Sequence, residues 1–407
     1  MSVRLDPDNH VWMTAPATRK VLDALTAKGG EVRFVGGVVR NTLAGAGVTD
    51  IDLATPLTPD VVIALLEAAG LKAVPTGIEH GTVTAIADSK PFEITTLRRD
   101  VSTDGRRAVV SFTGDWREDA SRRDFTMNAL YASPEGEVFD YFGGIQDLEA
   151  GRVRFVGDAA SRIAEDYLRI LRLFRFHAWY GRGEIDEAAL VAAVAGKGGL
   201  KTLSGERVQK EMLKLLAAAD PIPVLRSMRE HGLLREIFPA AIELGRADLK
   251  RLGNLVPLTA DPILRLTALV LLFSKDAVRE AAQMWRLSNN DRDRMLALTG
   301  NYAMPESENA AKRQIYEKGA GLYRDQLLLT RAAIPHAVGN WQSFYDLSAR
   351  WNVPRFPLDG GDVMALGIAQ GPRIGELLSA VEHWWIENDF RGTREELLAR
   401  LKVQASA

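Results

Sequence analysis

Strand-like stretches are confined to the first part of this chain, and that asymmetry constrains the fold more than any other feature. Over the first 150 residues, short apolar runs bounded by glycines and turn residues alternate with helical stripes. After about residue 158, leucine, alanine, arginine and glutamate recur at helical spacing to the end. Such segregation predicts an α+β architecture, a small mixed sheet with helices followed by an all-α remainder. The 407 residues are too many for a single core. We expect a head over 1–155, a helical neck over 156–225, a helical body over 226–340 and a helical tail over 341–407. Pro354, Pro357 and Gly360-Gly361 suggest a break before a last helical segment that begins near Gly371-Pro372.

Within the head, Val21, Leu22 and Leu25 form a helical stripe that stops at Gly29-Gly30. Residues 31–35 read as a short buried strand, and Gly36-Gly37 turns the chain into a helix carrying Val38, Val39 and Leu43. Residues 50–54 read as a second strand. Thr58-Pro59 opens a helix that Gly70 closes. Residues 82–87 and 92–95 read as a strand pair joined at Asp88-Ser89-Lys90. Residues 100–118 are polar and weakly periodic and read as a long loop, a kind of segment that often carries function.

Composition removes several classes. The chain is 46% hydrophobic and 26% charged, as in globular proteins. No apolar run approaches the roughly 18 residues of a membrane span, so no membrane partner is expected. The first residues carry Asp6 and Asp8 and lack an apolar core, so no secretory signal is expected. Cysteine is absent, which removes disulfides and thiolate chemistry and suits a reducing cytoplasm. The six histidines are scattered, so a histidine-built metal site is not expected. With 51 basic against 53 acidic residues, an RNA partner would need locally concentrated arginines.

Five constellations carry chemistry. Asp50 and Asp52 stand two apart on the expected second strand, so both carboxylates share a face while Ile51 points into the core. Paired oxygen ligands of this kind hold hard divalent cations. The bland alternative is two solvated acids on an edge strand. Gly36 and Gly37 let backbone amides approach a phosphate at a helix start, and Arg40 adds a phosphate donor. Alone, the glycine pair is also a tight turn. Glu93 lies on a strand that could pair beside 50–54 and join the two aspartates, or be a surface glutamate. In 122–130, Arg123, Asp124 and Asn128 can contact ribose and phosphate while Phe125, Met127 and Leu130 pack; an amphipathic helix start is the alternative. Last, Asp166, Arg169, Arg172 and Arg175 recur every three residues. On a helix they form a slanted row flanked by apolar residues, a polar wall facing a cleft rather than a solvated stripe.

These pieces, in this order, resemble the class II tRNA nucleotidyltransferase and poly(A) polymerase family of the DNA polymerase β-like superfamily. VGGVVRN, TDIDLAT, HGTVTA, FEITTLR, RRDFTMNALY, FDYFGG and EDYLRILRLFRF carry the likeness over residues 30 to about 180. GERVQKEMLKLL is similar to the family's neck, and PLDGGDVMALGIAQGPRIGELL to the C-terminal part of CCA-adding enzymes. The resemblance implies that Asp50 and Asp52 are catalytic ligands of magnesium in a two-metal site. It implies that Gly37, Arg40 and Arg123 bind nucleotide, and that Asp166, Arg169, Arg172 and Arg175 lie on a nucleotide-selecting helix. Residues 100–118 match a segment the family links to the final adenosine. Asn41 departs from the pattern, which usually has Asp there; Asn keeps the polar shape and loses the charge.

The implied reaction adds CMP, CMP and AMP from CTP and ATP to a tRNA 3′ end, without a nucleic-acid template and with release of pyrophosphate. Cytosine and adenine present an amine donor beside a ring-nitrogen acceptor, whereas uracil and guanine present a carbonyl beside a ring N–H. Asp166 can only accept and Arg169 can only donate, so together they fit C and A. The bland alternative is an Asp166–Arg169 salt bridge within the helix. Other readings are a poly(A) polymerase, an enzyme adding only CC or only A, and a non-catalytic RNA-binding relative.

Overall fold

The structure, a computed structural model, describes residues 3–104, 107–300, 304–336 and 340–406. Nine strands are described: β1 (Arg33–Val35), β2 (Asp52–Thr55), β3 (Lys72–Gly77), β4 (Thr82–Ala87), β5 (Lys90–Thr96), β6 (Arg98–Asp104), β7 (Arg107–Phe112), β8 (Leu130–Ala132) and β9 (Val138–Asp140). Seven of them form one sheet in the order β3-β4-β5-β2-β1-β8-β9. Neighbours are antiparallel except β2 and β5, which run parallel with Asp52 opposite Glu93. The β4–β5 hairpin turns at Asp88 and Ser89, whose φ angles are 49° and 63°. Short polar side chains tolerate this left-handed region better than most, which is why the turn was legible.

Alternation assigns the two sheet faces. Phe34, Leu53 and Ile94 point to one side, where helices α1 (Pro16–Thr26) and α2 (Gly37–Leu43) cover them with Val21, Leu25, Val38 and Val39. Helix α3 (Pro59–Ala68) adds Val62 and Leu66 to that core. Val35 and Ala54 point the other way, into a smaller cluster with Trp116, Ala120 and Tyr131. Asp52 and Ala54 share a face, so the Asp52 carboxylate opens on this second side.

Two expectations change. The second strand begins at Asp52, and Asp50 lies in the irregular segment before it. The stretch 100–118 is not a loop. β6 and β7 pair as a separate antiparallel ribbon, and helix α4 (Trp116–Ser121) follows, capped by the Asp115 side chain accepting from the amides of Arg117 and Glu118. The ribbon pairs apart from the seven-stranded sheet. Gly105 and Arg106, within that stretch, lie outside the described residues.

Beyond β9 the described residues hold helices and turns, as expected. Helix α5 (Gly144–Ala150) precedes α6 (Ala159–Glu165), which ends where Asp166 adopts an extended backbone; α7 (Leu168–Tyr180) then begins. α7 buries Ile170, Leu171, Leu173, Phe174 and Phe176 and packs along α8 (Gly205–Leu216). The chain divides into two compact units, 1–244 with 280–287, and 245–279 with 288–407. The second has its own cores. One gathers Ile315, Tyr323, Leu327 and Leu347, and another gathers Val363, Val381, Trp385, Leu397 and Leu401.

Candidate active site

The parallel register sets Asp52 beside Glu93 on neighbouring strands, with Asp50 just upstream. Asp52 is half-buried, and Asp50 and Glu93 are exposed. Burial, then the charges of Glu93 and Asp50, push the Asp52 carboxyl up to about 6, against an opposing pull from Arg123. Among the described residues, no basic side chain forms an ion pair with any of the three, and no group of three or more acids or histidines closes as a metal cluster. The donor set nonetheless fits a hard divalent cation. Asp50, Asp52 and Glu93 supply only carboxylate oxygens, and burial with the charges of Glu93 and Asp50 raises Asp52 despite Arg123.

The basic side of the site is built differently. Asp119, on α4, is 1% exposed and accepts from Arg122, from Arg123 at 3.2 Å and from the Tyr131 hydroxyl at 2.6 Å. Burial would raise its pKa, but Arg123 and Arg122 pull it down to about 2. Burial likewise works against the Arg123 charge, yet Tyr131 and Asp119 keep it firmly protonated. Gly36 has φ 67°, and a Cβ there would sit 3.4 Å from Arg123 Nη1 and 3.5 Å from the Asn128 carbonyl. The glycine therefore serves a left-handed turn and a close approach by Arg123.

Asp124 accepts from Arg172 Nε at 2.7 Å, from Asn128 at 2.9 Å and from the Phe125 amide at 2.8 Å. Burial opposes its charge, but Arg172 and these hydrogen bonds hold it at about 2. Glu211 of α8, 4% exposed, accepts from Arg175 Nε at 2.5 Å and lies 3.8 Å from Arg172. Asp124, Arg172, Glu211 and Arg175 thus form an alternating charge ladder. Sequence reading missed Glu211 and Asp119. The signal for Glu211 was an acid lying between Val208, Met212 and Leu215 on the apolar side of an amphipathic helix.

Arg40 is buried rather than open to phosphate. It donates to Asn128 Oδ1 and, through Nε and Nη2, to Asn41 Oδ1 at 3.1 and 2.8 Å. Its guanidinium stacks over Phe176 and Tyr180 at 5.0 and 4.5 Å. Burial lowers its pKa, opposed by Tyr180. Tyr180 also donates to Asn41 Oδ1 at 2.9 Å, so the unusual Asn41 oxygen gathers Arg40 and Tyr180 together.

The expected row on one helix is corrected at its first member. Arg169, Arg172 and Arg175 lie on α7, but Asp166 precedes the helix in an extended conformation. Its carboxylate accepts from the Leu168 amide at 3.0 Å and from Arg207 at 2.7 Å. Arg169 instead pairs with Glu165 and donates to the Arg162 carbonyl at 2.8 Å. The alternative of an Asp166–Arg169 salt bridge within the helix is therefore not the arrangement; each side chain has a separate anchor.

Comparison with known proteins places this geometry. Residues 32–154 match the poly A polymerase head domain, and residues 184–244 match the probable RNA and SrmB-binding site of polymerase A. The mitochondrial CCA tRNA nucleotidyltransferase 1 of Mus musculus is 34% identical over 389 residues, covering 91% of this chain and 86% of that protein. The chain belongs to the CCA-adding tRNA nucleotidyltransferase family. Two solved members share its fold. The Bacillus stearothermophilus CCA-adding enzyme in complex with CTP superposes with a TM-score of 0.76 at 24% identity, covering 96% of this chain and 98% of that one. The Thermotoga maritima CCA-adding enzyme complexed with tRNA_CCA gives 0.66 at 20%, covering 98% and 96%. The described site holds a carboxylate face on the sheet and a ladder of paired arginines on the following helices.

Proposed function

We propose that this chain adds CMP, CMP and AMP to a tRNA 3′ end, using CTP and ATP and releasing pyrophosphate. The observation that carries the reading is the parallel β2–β5 register, which sets Asp52 and Glu93 side by side next to Asp50, on the sheet face that also carries Tyr131. Asp50 and Asp52 would hold magnesium, with Glu93 beside them. Bound there, the cation would favour ionisation of the attacking hydroxyl and offset charge on the phosphoryl oxygens.

This chain's own groups do the remaining work. Arg123, fixed by Asp119 and Tyr131 against Gly36, is a rigid donor for the triphosphate. Gly36 and Gly37 open the backbone beside it. Arg40, Asn128 and Asp124 brace the turn from behind, and Arg172 and Arg175 extend the positive field along α7. A triphosphate held between these donors and the carboxylates meets the 3′-hydroxyl in line. Asp166 and Arg169 would read the base edge, the first accepting and the second donating. The β6–β7 ribbon would act in the terminal adenosine step. The divisions at 155, 225 and 340 and a cytoplasmic setting belong to the same proposal, the latter supported by the cysteine-free composition.

The test is incubation with tRNA truncated at each of the three positions, one labelled nucleotide at a time. CMP, CMP and AMP should each enter at its own position and stop there. Runs of AMP on an unrelated RNA would overturn the reading in favour of a poly(A) polymerase.

A further inference from the structure

Trp179 breaks the pattern of α7. Its neighbours on the helix are buried or half-buried, but this large ring is 50% exposed. It is also fixed in place, because its indole Nε1 donates to the Lys214 carbonyl of α8 at 2.7 Å. An exposed tryptophan normally retains rotamer freedom; here a facing helix has already removed it. Beside the ring lies a cavity of about 490 Å³ whose lining includes Leu43, Ile145 and Leu148. Arg182 and Glu149 also line it.

Two lysines stand on the helix that faces the ring. Lys210 and Lys214 lie one turn apart on α8 and are both exposed. Among the described residues neither enters an ion pair. The Lys214 ammonium is disfavoured first by burial and then by Arg175 and Lys210, against an opposing pull from Glu211. The Arg172–Glu211–Arg175 ladder runs behind it on the same pair of helices. A flat, fixed aromatic face with unpaired lysines beside it is the arrangement that takes unpaired nucleotides, the base stacking on the ring and the phosphates meeting the ammonium groups.

We propose that Trp179, with the adjoining cavity and Lys210 and Lys214, docks an unpaired nucleotide of the RNA acceptor strand. The inference rests on the CCA-adding reading for the identity of the RNA, and it assigns Trp179 to strand binding rather than to nucleotide choice. Stacking would come from Trp179, and Lys210 and Lys214 would hold the backbone on either side.

The experiment compares wild type with Trp179→Ala, Trp179→Phe and the Lys210→Gln/Lys214→Gln double variant. Each is measured for binding to tRNA lacking its CCA end and to a single-stranded oligonucleotide of the acceptor 3′ sequence. Loss of one stacked base should weaken RNA binding about tenfold in Trp179→Ala, with Trp179→Phe recovering most of it. The double lysine variant should flatten the slope of log affinity against log salt by about 0.7 for each phosphate that is no longer neutralised. The KM for RNA should rise while the KM for CTP holds. Equal RNA affinity in wild type and Trp179→Ala, with both melting alike, would overturn the docking surface. Wild-type incorporation of CMP is scored separately. If it occurs while Trp179→Ala binds normally, the surface falls and the function stands. If it fails while oligonucleotide binding still depends on Trp179, the surface stands and the function falls.

Discussion

The two charged halves of the site follow opposite rules. On the arginine side each key charge has a partner: Asp119 with Arg123, Asp124 with Arg172, Glu211 with Arg175 and Asp166 with Arg207. Burial there is tolerated because the charges are paired and hydrogen-bonded, and the carboxyls of Asp119 and Asp124 sit at about 2. On the sheet side three acids crowd together without a basic partner among the described residues, and Asp52 rises to about 6. One half is complete before any ligand arrives and can position it. The other half carries a net negative charge that Arg123 offsets only in part. Mutations should therefore separate the two, with the sheet side failing in chemistry and the arginine side failing in stability.

The largest effect tests that division directly. Asp52→Ala should reduce incorporation by about 10³-fold or more, the scale of removing a principal electrostatic element of a reaction centre. Its melting temperature should not fall, because the substitution removes a half-desolvated, repelled carboxylate. Asp50→Ala should behave alike, with tRNA binding nearly unchanged in both. Single-turnover incorporation beside thermal melting decides it. Near-wild-type turnover in either variant, or a large loss of stability without loss of chemistry, would erase the contrast.

On the opposite side, Glu211→Ala strands Arg175 and loosens Arg172, and breaking a buried pair by removing one partner costs about 3–5 kcal/mol. The denaturant midpoint should drop sharply, and Glu211→Gln should recover part of it. The same half should govern acid unfolding. The Asp119 and Asp124 carboxyls are depressed in the folded state from 3.8 to about 2. Their contribution is therefore fully present above about pH 4 and disappears as pH falls towards 2, each worth about 2 kcal/mol. Asp119→Asn should blunt that part of the acid transition. An acid limb identical to wild type would show that these pairs do not govern it.

The contrast also explains what the sequence could reveal. Asp52, Gly36 and the arginine spacing were readable because strand and helix periods place them, and the β4–β5 hairpin was readable from its turn. Asp50 fell outside its strand because pairing starts only where Asp52 meets Glu93, a choice made by register with a distant strand. The β6–β7 ribbon was not legible because it pairs apart from the main sheet and its sequence is only weakly periodic. Asp119 and Glu211 were missed because each gains its meaning from a partner elsewhere in the chain, Tyr131 for one and Arg175 for the other. The burial of Arg40 was not legible for a related reason. Its burial depends on Phe176 and Tyr180, 136 and 140 positions away, and no local pattern announces that packing.

The smallest expected effect asks whether the arginine side does more than hold its shape. The side chains of Asp166 and Arg169 do not bond each other; one is anchored by Arg207 and the other by Glu165. Separate anchors suit two groups that must stay apart to meet a base edge, one accepting from an amine and the other donating to a ring nitrogen. Uracil and guanine reverse both partners, and each mismatched buried pair costs roughly 1–3 kcal/mol. Substituting Asp166 or Arg169 should therefore raise UTP or GTP incorporation relative to CTP and ATP by about ten- to hundredfold. Arg207→Ala should do so more weakly, because it frees the Asp166 carboxylate without removing it. Competition assays with all four nucleotides measure the ratio. If every nucleotide slows equally in the Asp166 and Arg169 variants, with the preference for C and A intact, the anchors serve the fold alone and base choice resides elsewhere.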